Sequence, residues 1–256
     1  MSETVVTFKN VCMYFGGVKA VDDLSFTVEK GKIFGLIGPN GAGKTTVFNV
    51  LSGVYIPTSG EIKHLDKVIN KIPAHEIAAH GIARTFQNIR LFNNQSVLDN
   101  LKIAYYGHIK YNVVDAILTS KRFRTEEAQI EKECMQILDF LDLGEYTHQK
   151  AGALPYGAQR RIEIARAIAC KPQVLLLDEP AAGMNPTEID SLNNLILNIR
   201  DHYGLTVMLV EHQMRLVMSI CDEILVVNFG KKLAQGKPQE IQNNPAVLEA
   251  YLGKAK

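Results

Sequence analysis

Residues Gly38-Pro39-Asn40-Gly41-Ala42-Gly43-Lys44-Thr45 follow the short apolar run Ile33-Phe34-Gly35-Leu36-Ile37 and lead into the helix-compatible stretch Thr45–Leu51. Such a run ending in a glycine loop reads as a buried parallel strand feeding a helix. The loop fits G-x-x-x-x-G-K-[ST], and each fixed position has a physical reason. Glycines let the backbone wrap closely, so that N–H groups point inward at phosphate oxygens. Lys44 supplies a point charge for β- and γ-phosphates, and Thr45 a hydroxyl for Mg²⁺. The helix beginning near Lys44 adds its positive N-terminal end. Gly38, Pro39, Asn40, Gly41, Ala42, Gly43, Lys44, Thr45 and Thr46 are therefore the predicted phosphate cradle.

Three further apolar runs, Val174–Leu177, Thr206–Val210 and Ile224–Val227, can complete a buried sheet. The opening residues alternate (Val5, Thr7 and Lys9 against Val6, Phe8 and Asn10, then Leu24, Phe26 and Val28) and read as early strands. More than a hundred residues separate the first apolar run from the second, whereas a simple β-α-β crossover needs about 30. The intervening residues are helical in pattern: Ile130, Cys134, Ile137, Leu138 and Leu141 share a face, and Gln159–Ala169 is a second such stretch. A helical subdomain inserted at about 88–157 is the economical reading.

With 256 residues and a 46% hydrophobic share, the chain suits one ordinary domain with a substantial core. Its 28 basic and 27 acidic residues leave a net charge of +1, which gives no global pull toward nucleic acid or anionic lipid. Cys12, Cys134, Cys170 and Cys221 form no CxxC pair and read as structural thiols of a reduced compartment. MSETVVTFKN lacks the regions of a signal peptide, and no apolar run approaches the roughly 18 residues of a spanning helix. Any link to a membrane is expected to run through a partner.

Val174–Leu177 ends at Asp178-Glu179-Pro180. A carboxylate at the end of a buried strand can hold Mg²⁺ through water, and the adjacent Glu179 can orient and deprotonate an attacking water. The bland alternative, a helix start, weakens once the glycine loop stands upstream.

Together with Gly38–Thr45, this pair resembles the ABC transporter ATPases, and further segments match that family in order along nearly the whole chain. The resemblance implies a P-loop NTPase (RecA-like) α/β core with N-terminal antiparallel strands and an inserted helical subdomain, one ABC ATPase domain over residues 1–256. It implies ATP and Mg²⁺ as cofactors. Phe15 falls where the family stacks an aromatic on adenine, with Tyr14 as the neighbouring candidate. Gln87, closing Arg84-Thr85-Phe86-Gln87, matches the glutamine that touches Mg²⁺ and the attacking water. His212 matches the γ-phosphate-sensing histidine. The implied catalytic set is thus Glu179, His212, Gln87 and Lys44, and the metal set Thr45, Gln87 and Asp178. Leu154–Gln159 lies at the family signature and Ala181–Asn185 at the loop crossing a dimer interface.

Within the family the chain looks like the ATPases of branched-chain amino acid importers, through Arg84–Gln87, the long segment Tyr105–Glu127, Tyr156–Arg161, Ala181–Pro186 and the tail from Asn244 to Gly253. That implies a second, different ABC ATPase closing a nucleotide sandwich, two transmembrane permease subunits, an indirect periplasmic or extracellular binding protein, and no nucleic acid. It implies a cytoplasmic position on the inner face of the membrane.

The chain departs from the family pattern at the signature, where Leu154-Pro155-Tyr156-Gly157-Ala158 replaces Leu-Ser-Gly-Gly-Gln. Pro155 has neither hydroxyl nor N–H, and Tyr156 is bulky where close approach is expected. Unequal sites in a heterodimer are the expectation. Asn185 stands where an aspartate is common. Other ABC systems (lipid or polysaccharide export, amide or urea uptake) and a P-loop kinase are the alternative readings. Leu91 and Phe92 read as a docking surface or as core, Lys121-Arg122-Phe123-Arg124 as a solvated loop, and Glu188–Arg200 as a surface helix with a Leu/Ile stripe.

Overall fold

The computed structural model describes residues 3–252, so Gly253 of the predicted tail motif lies outside the described residues. In chain order the strands are β1 (Thr4–Phe15), β2 (Val18–Glu29), β3 (Ile33–Ile37), β4 (Ser59–His64), β5 (Lys67–Val68), β6 (Ile82–Arg84), β7 (Val174–Asp178), β8 (Thr206–Val210), β9 (Glu223–Asn228) and β10 (Lys231–Gly236). The helices are α1 (Lys44–Leu51), α2 (Ala74–Ile77), α3 (Val97–Tyr105), α4 (Val113–Ile117), α5 (Lys121–Phe140), α6 (Tyr156–Ala169), α7 (Pro186–Tyr203), α8 (Met214–Ile220), α9 (Pro238–Gln242) and α10 (Pro245–Leu252). The chain divides into two units, one of residues up to 77 with those from 173 onward, the other Ala78–Pro172.

The first unit holds two sheets. In the antiparallel one, ordered β2-β1-β4-β5, Phe8 faces Phe26 and Ile62 across the strands. Alternation sends these side chains inward. Phe8 stacks on Phe26 at 4.5 Å, and Phe26 on Phe34 of β3 at 5.5 Å, which joins this sheet's core to the other. β4 was not legible in the sequence because Ile62 is the single apolar residue among Ser59, Gly60, Glu61, Lys63 and His64. In the second sheet, β3 lies between β8 and β9 with parallel pairing, and β7 pairs parallel with β8. Every residue of β3, β7 and β8 is buried, which is why these strands read as unbroken apolar runs. β10 adds antiparallel to β9. Its sequence KKLAQG carries no β pattern, and two lysines suit an edge.

The second unit is mostly helical. α3 packs on α5 and α6, and α5 buries Ile130, Cys134, Ile137 and Leu138, the face expected from their spacing. Asn100, fully buried on α3, satisfies itself on Phe92 N–H and on the carbonyls of Phe92 and Ser96. Lys121–Arg124 is not a loop. Ser120 accepts the Phe123 N–H and starts α5 there, with Phe123 edge-on to Tyr111 at 5.0 Å. Among the described residues no helix is long and apolar enough to cross a membrane.

Candidate functional site: a phosphate cradle with a carboxylate–imidazole pair

β3 delivers the chain into the glycine loop at Gly38. A Cβ there would meet the Val227 carbonyl at 2.1 Å, and one on Gly43, whose φ is +105°, would meet the Ala20 carbonyl at 2.3 Å. The loop is thus pressed onto β9 and the start of β2 at positions only glycine can occupy. Gly43 is the N-cap of α1 and no side chain caps this helix, so its first-turn N–H groups are left to the loop and to a ligand. Lys44 is 6% exposed, and its Nζ donates to the carbonyls of Gly38 at 2.7 Å and Pro39 at 3.0 Å. Burial holds its pKa below the usual lysine value, and the Glu179 carboxylate opposes this only in part. Thr45 and Gly41 are exposed. A buried lysine, an open hydroxyl and a backbone wrapped without side chains form a fitting receptacle for a polyphosphate.

The second half of the site comes from the ends of β7 and β8. Their parallel register sets Asp178 opposite Val210. Asp178 is buried, and Glu179 then turns into the left-handed region at φ 47°, its N–H donating to the Val210 carbonyl at 2.9 Å. A non-glycine residue held there carries strain that its surroundings must enforce. The turn brings Glu179 Oε1 to 2.8 Å from His212 Nε2, uniting two residues that sequence reasoning could only name separately.

Glu211 holds that union and was not singled out from the sequence. Its buried carboxylate accepts the Ala181 N–H at 2.7 Å on one oxygen, and the N–H groups of His212 at 2.9 Å and Gln213 at 3.2 Å on the other. Burial raises its pKa and these hydrogen bonds pull it back. An acid directly after a buried strand was the available signal, overshadowed by the histidine beside it. Asn185 is explained locally: its side-chain oxygen caps α7 by accepting the Thr187 and Glu188 N–H groups, while its own N–H donates to the Glu188 carboxylate. An asparagine does this as well as an aspartate.

Of the aromatic candidates, Phe15 presents a 42% exposed ring, edge-on to Tyr55 at 5.2 Å, whereas the Tyr14 hydroxyl donates to Asp22 at 2.7 Å. On its outer side the loop is flanked by α10. Ala246, Glu249 and Ala250 with Pro39–Ala42 line a cleft of about 390 Å³. Burial raises the Tyr251 phenol to about 12, opposed by a hydrogen bond from the Gly38 backbone.

Gln87 belongs to the second unit, and its backbone is anchored there by α6. Arg160 donates to the carbonyls of Phe86 at 2.7 Å and Gln87 at 3.4 Å, and Glu163 accepts the Phe86 N–H at 3.0 Å. Arg160 and Glu163 pair at 2.9 Å with side-chain exposures of 2% and 5%. Neither was predicted as a site residue. At the start of α6, Pro155 is the N-cap and makes no side-chain hydrogen bond, Tyr156 is 55% exposed, and nothing crowds Gly157. Phe92 is 46% exposed under the Arg166 guanidinium.

The family model for ABC transporters matches residues 21–182, and one for branched-chain amino acid ATP-binding cassette transporters matches residues 231–256. The chain is 44% identical to the high-affinity branched-chain amino acid transport ATP-binding protein BraF of Pseudomonas aeruginosa and 43% identical to LivG of Escherichia coli, in each case over 100% of both chains. It is similar to the ADP conformation of MJ1267, an ATP-binding cassette of an ABC transporter, with a TM-score of 0.85 and 30% identity over 98% of this chain and 99% of that one. With a glycine cradle, a buried lysine and a paired glutamate and histidine in place, the chain belongs to the ABC transporter family, as an ATP-binding subunit that hydrolyses ATP for transport.

Proposed function

We propose that this chain powers the import of branched-chain amino acids, as one ABC ATPase domain over residues 1–256 working beneath two permease subunits on the inner face of the membrane. The substrate class rests on the 43–44% identity to BraF and LivG along the full chain. The observation that carries the chemistry is the 2.8 Å contact between Glu179 and His212 at the ends of β7 and β8, the latter paired with β3.

In this reading Gly38–Thr46 receives the phosphates of ATP and Phe15 stacks on the adenine. Lys44 exchanges its two backbone carbonyls for phosphate oxygens, which as charged acceptors bind it more strongly. Thr45 and Asp178 offer the hard oxygen donors that Mg²⁺ takes, and Gln87 is added on resemblance. When bound, the ion neutralises charge on the phosphate oxygens. Glu179 takes the proton of the attacking water, and His212 fixes which carboxylate oxygen faces it. Glu211 holds both backbones so that this pair is already assembled when ATP arrives.

The partner is a second, different ATPase, because the signature this chain offers across a dimer lacks a capping hydroxyl at Pro155 and carries Tyr156 at the helix start. Glu179→Gln tests the assignment. It is expected to bind ATP normally and to lose turnover by roughly 10²- to 10⁴-fold. Near-normal hydrolysis removes Glu179 from the role of base. Placing the same change in either chain of the reconstituted pair tests asymmetry, and equal losses from the two single changes refute it.

A further inference from the structure

The segment between α3 and α5 takes no part in the site above, yet it carries four aliphatic side chains turned to solvent. Val113, Val114, Ile117 and Leu118 are 74, 61, 76 and 70% exposed. At offsets of one, four and five residues from Val113 they fall on one side of a helical turn. The tip that holds them is well tied. Asn112 and Asp115 form a reciprocal cap on α4, Asp115 also accepts the Ser120 hydroxyl at 2.8 Å, and Ser120 in turn caps α5. The aliphatic face is therefore displayed by a fixed turn.

Around it stand Lys110, Lys121, Arg122 and Arg124, all exposed. The acidic groups of the neighbourhood are held by local partners: Asp115 as above with Arg122 at 3.9 Å, Glu126 by the Lys110 N–H, and Glu127 by the Tyr111 hydroxyl and by Lys102 at 3.0 Å. An apolar tip ringed by cations is the composition of an element that lies in a membrane interface. Anionic headgroups attract such a rim. The cytoplasmic loops of a membrane subunit, themselves rich in Lys and Arg, repel it. We propose that α4 and its basic rim are a lipid-contacting tip, seating Val113, Val114, Ile117 and Leu118 among the headgroups of an anionic bilayer.

The chain has no tryptophan, so Leu118→Trp places a lone fluorophore at the tip. With vesicles of about 30% phosphatidylglycerol in phosphatidylcholine, at about 1 mM lipid, its emission is expected to shift to the blue and to be quenched by brominated lipid. Neutralising Lys121 and Arg124 to Gln in this background is expected to weaken partition about fivefold per charge. Ile117→Asp is expected to abolish the shift while leaving ATP hydrolysis unchanged, so failure here is separable from failure of the import reading. No shift on anionic vesicles, or equal shifts on anionic and pure phosphatidylcholine vesicles, overturns the proposal. A photoreactive side chain at position 117 in native membranes adds a second arm. An adduct with lipid supports the tip, and an adduct with a membrane subunit polypeptide overturns it in favour of protein docking.

Discussion

Replacing Arg160 by methionine strands a charge. In the native unit Arg160 and Glu163 close a small square with the backbone of Phe86: guanidinium to carbonyl at 2.7 Å, N–H to carboxylate at 3.0 Å, and the two side chains to each other at 2.9 Å. Methionine fills much of the volume but leaves the buried Glu163 carboxylate with only backbone donors. Breaking one partner of a buried pair costs about 3–5 kcal/mol, against a total stability of about 5–15 kcal/mol. The loss should appear in equilibrium urea unfolding as a lower midpoint. Its pH dependence follows from Glu163. Burial already raises this carboxyl, and the Phe86 N–H and Arg160 hold it down. A group with a raised folded pKa contributes stability that is present in acid and is lost as pH rises through that pKa. Removing Arg160 raises Glu163 further. The deficit of the variant should therefore be small in acid, where the carboxyl is neutral, and grow toward neutral pH. Arg160→Met/Glu163→Leu should regain the share due to the stranded charge, leaving about 1–3 kcal/mol for the unsatisfied Phe86 groups. A single-variant cost under about 1 kcal/mol, or a deficit that does not change with pH, refutes the reasoning.

Glu211→Gln keeps one acceptor oxygen but turns an NH₂ toward backbone N–H donors, which should cost about 1–3 kcal/mol and lower Tm by about 2–4 °C per kcal/mol. Turnover should fall with it, because the Glu179–His212 contact loses its frame; unchanged Tm and kcat in thermal and steady-state assays would refute this. Gly43→Ala puts a Cβ 2.3 Å from the Ala20 carbonyl in a left-handed conformation, so nucleotide affinity should drop at least tenfold in a fluorescent-ATP titration. Affinity within twofold of the parent would show that the loop yields at that point.

The sequence by itself determined the strand, loop and helix that cradle phosphate, because that unit is contiguous and each residue type in it answers a local demand. It determined the central strands as well, since strands buried on both faces leave unbroken apolar runs at β3, β7 and β8. The amphipathic face of α5 was legible through its spacing. β4, β5 and β10 were not, because edge and half-exposed strands mix charge with few apolar residues. Nor could the sequence say that Glu179 meets His212. That contact depends on the parallel register of β7 with β8, which sets Asp178 beside Val210, and on a strained turn held by Glu211. The same holds for Arg160 and Glu163, whose partner Phe86 lies 74 residues before Arg160. Tertiary structure alone also decided that Val113, Val114, Ile117 and Leu118 face solvent rather than core. Local spacing records which side of a turn is apolar, while burial is settled by what the rest of the chain packs against it.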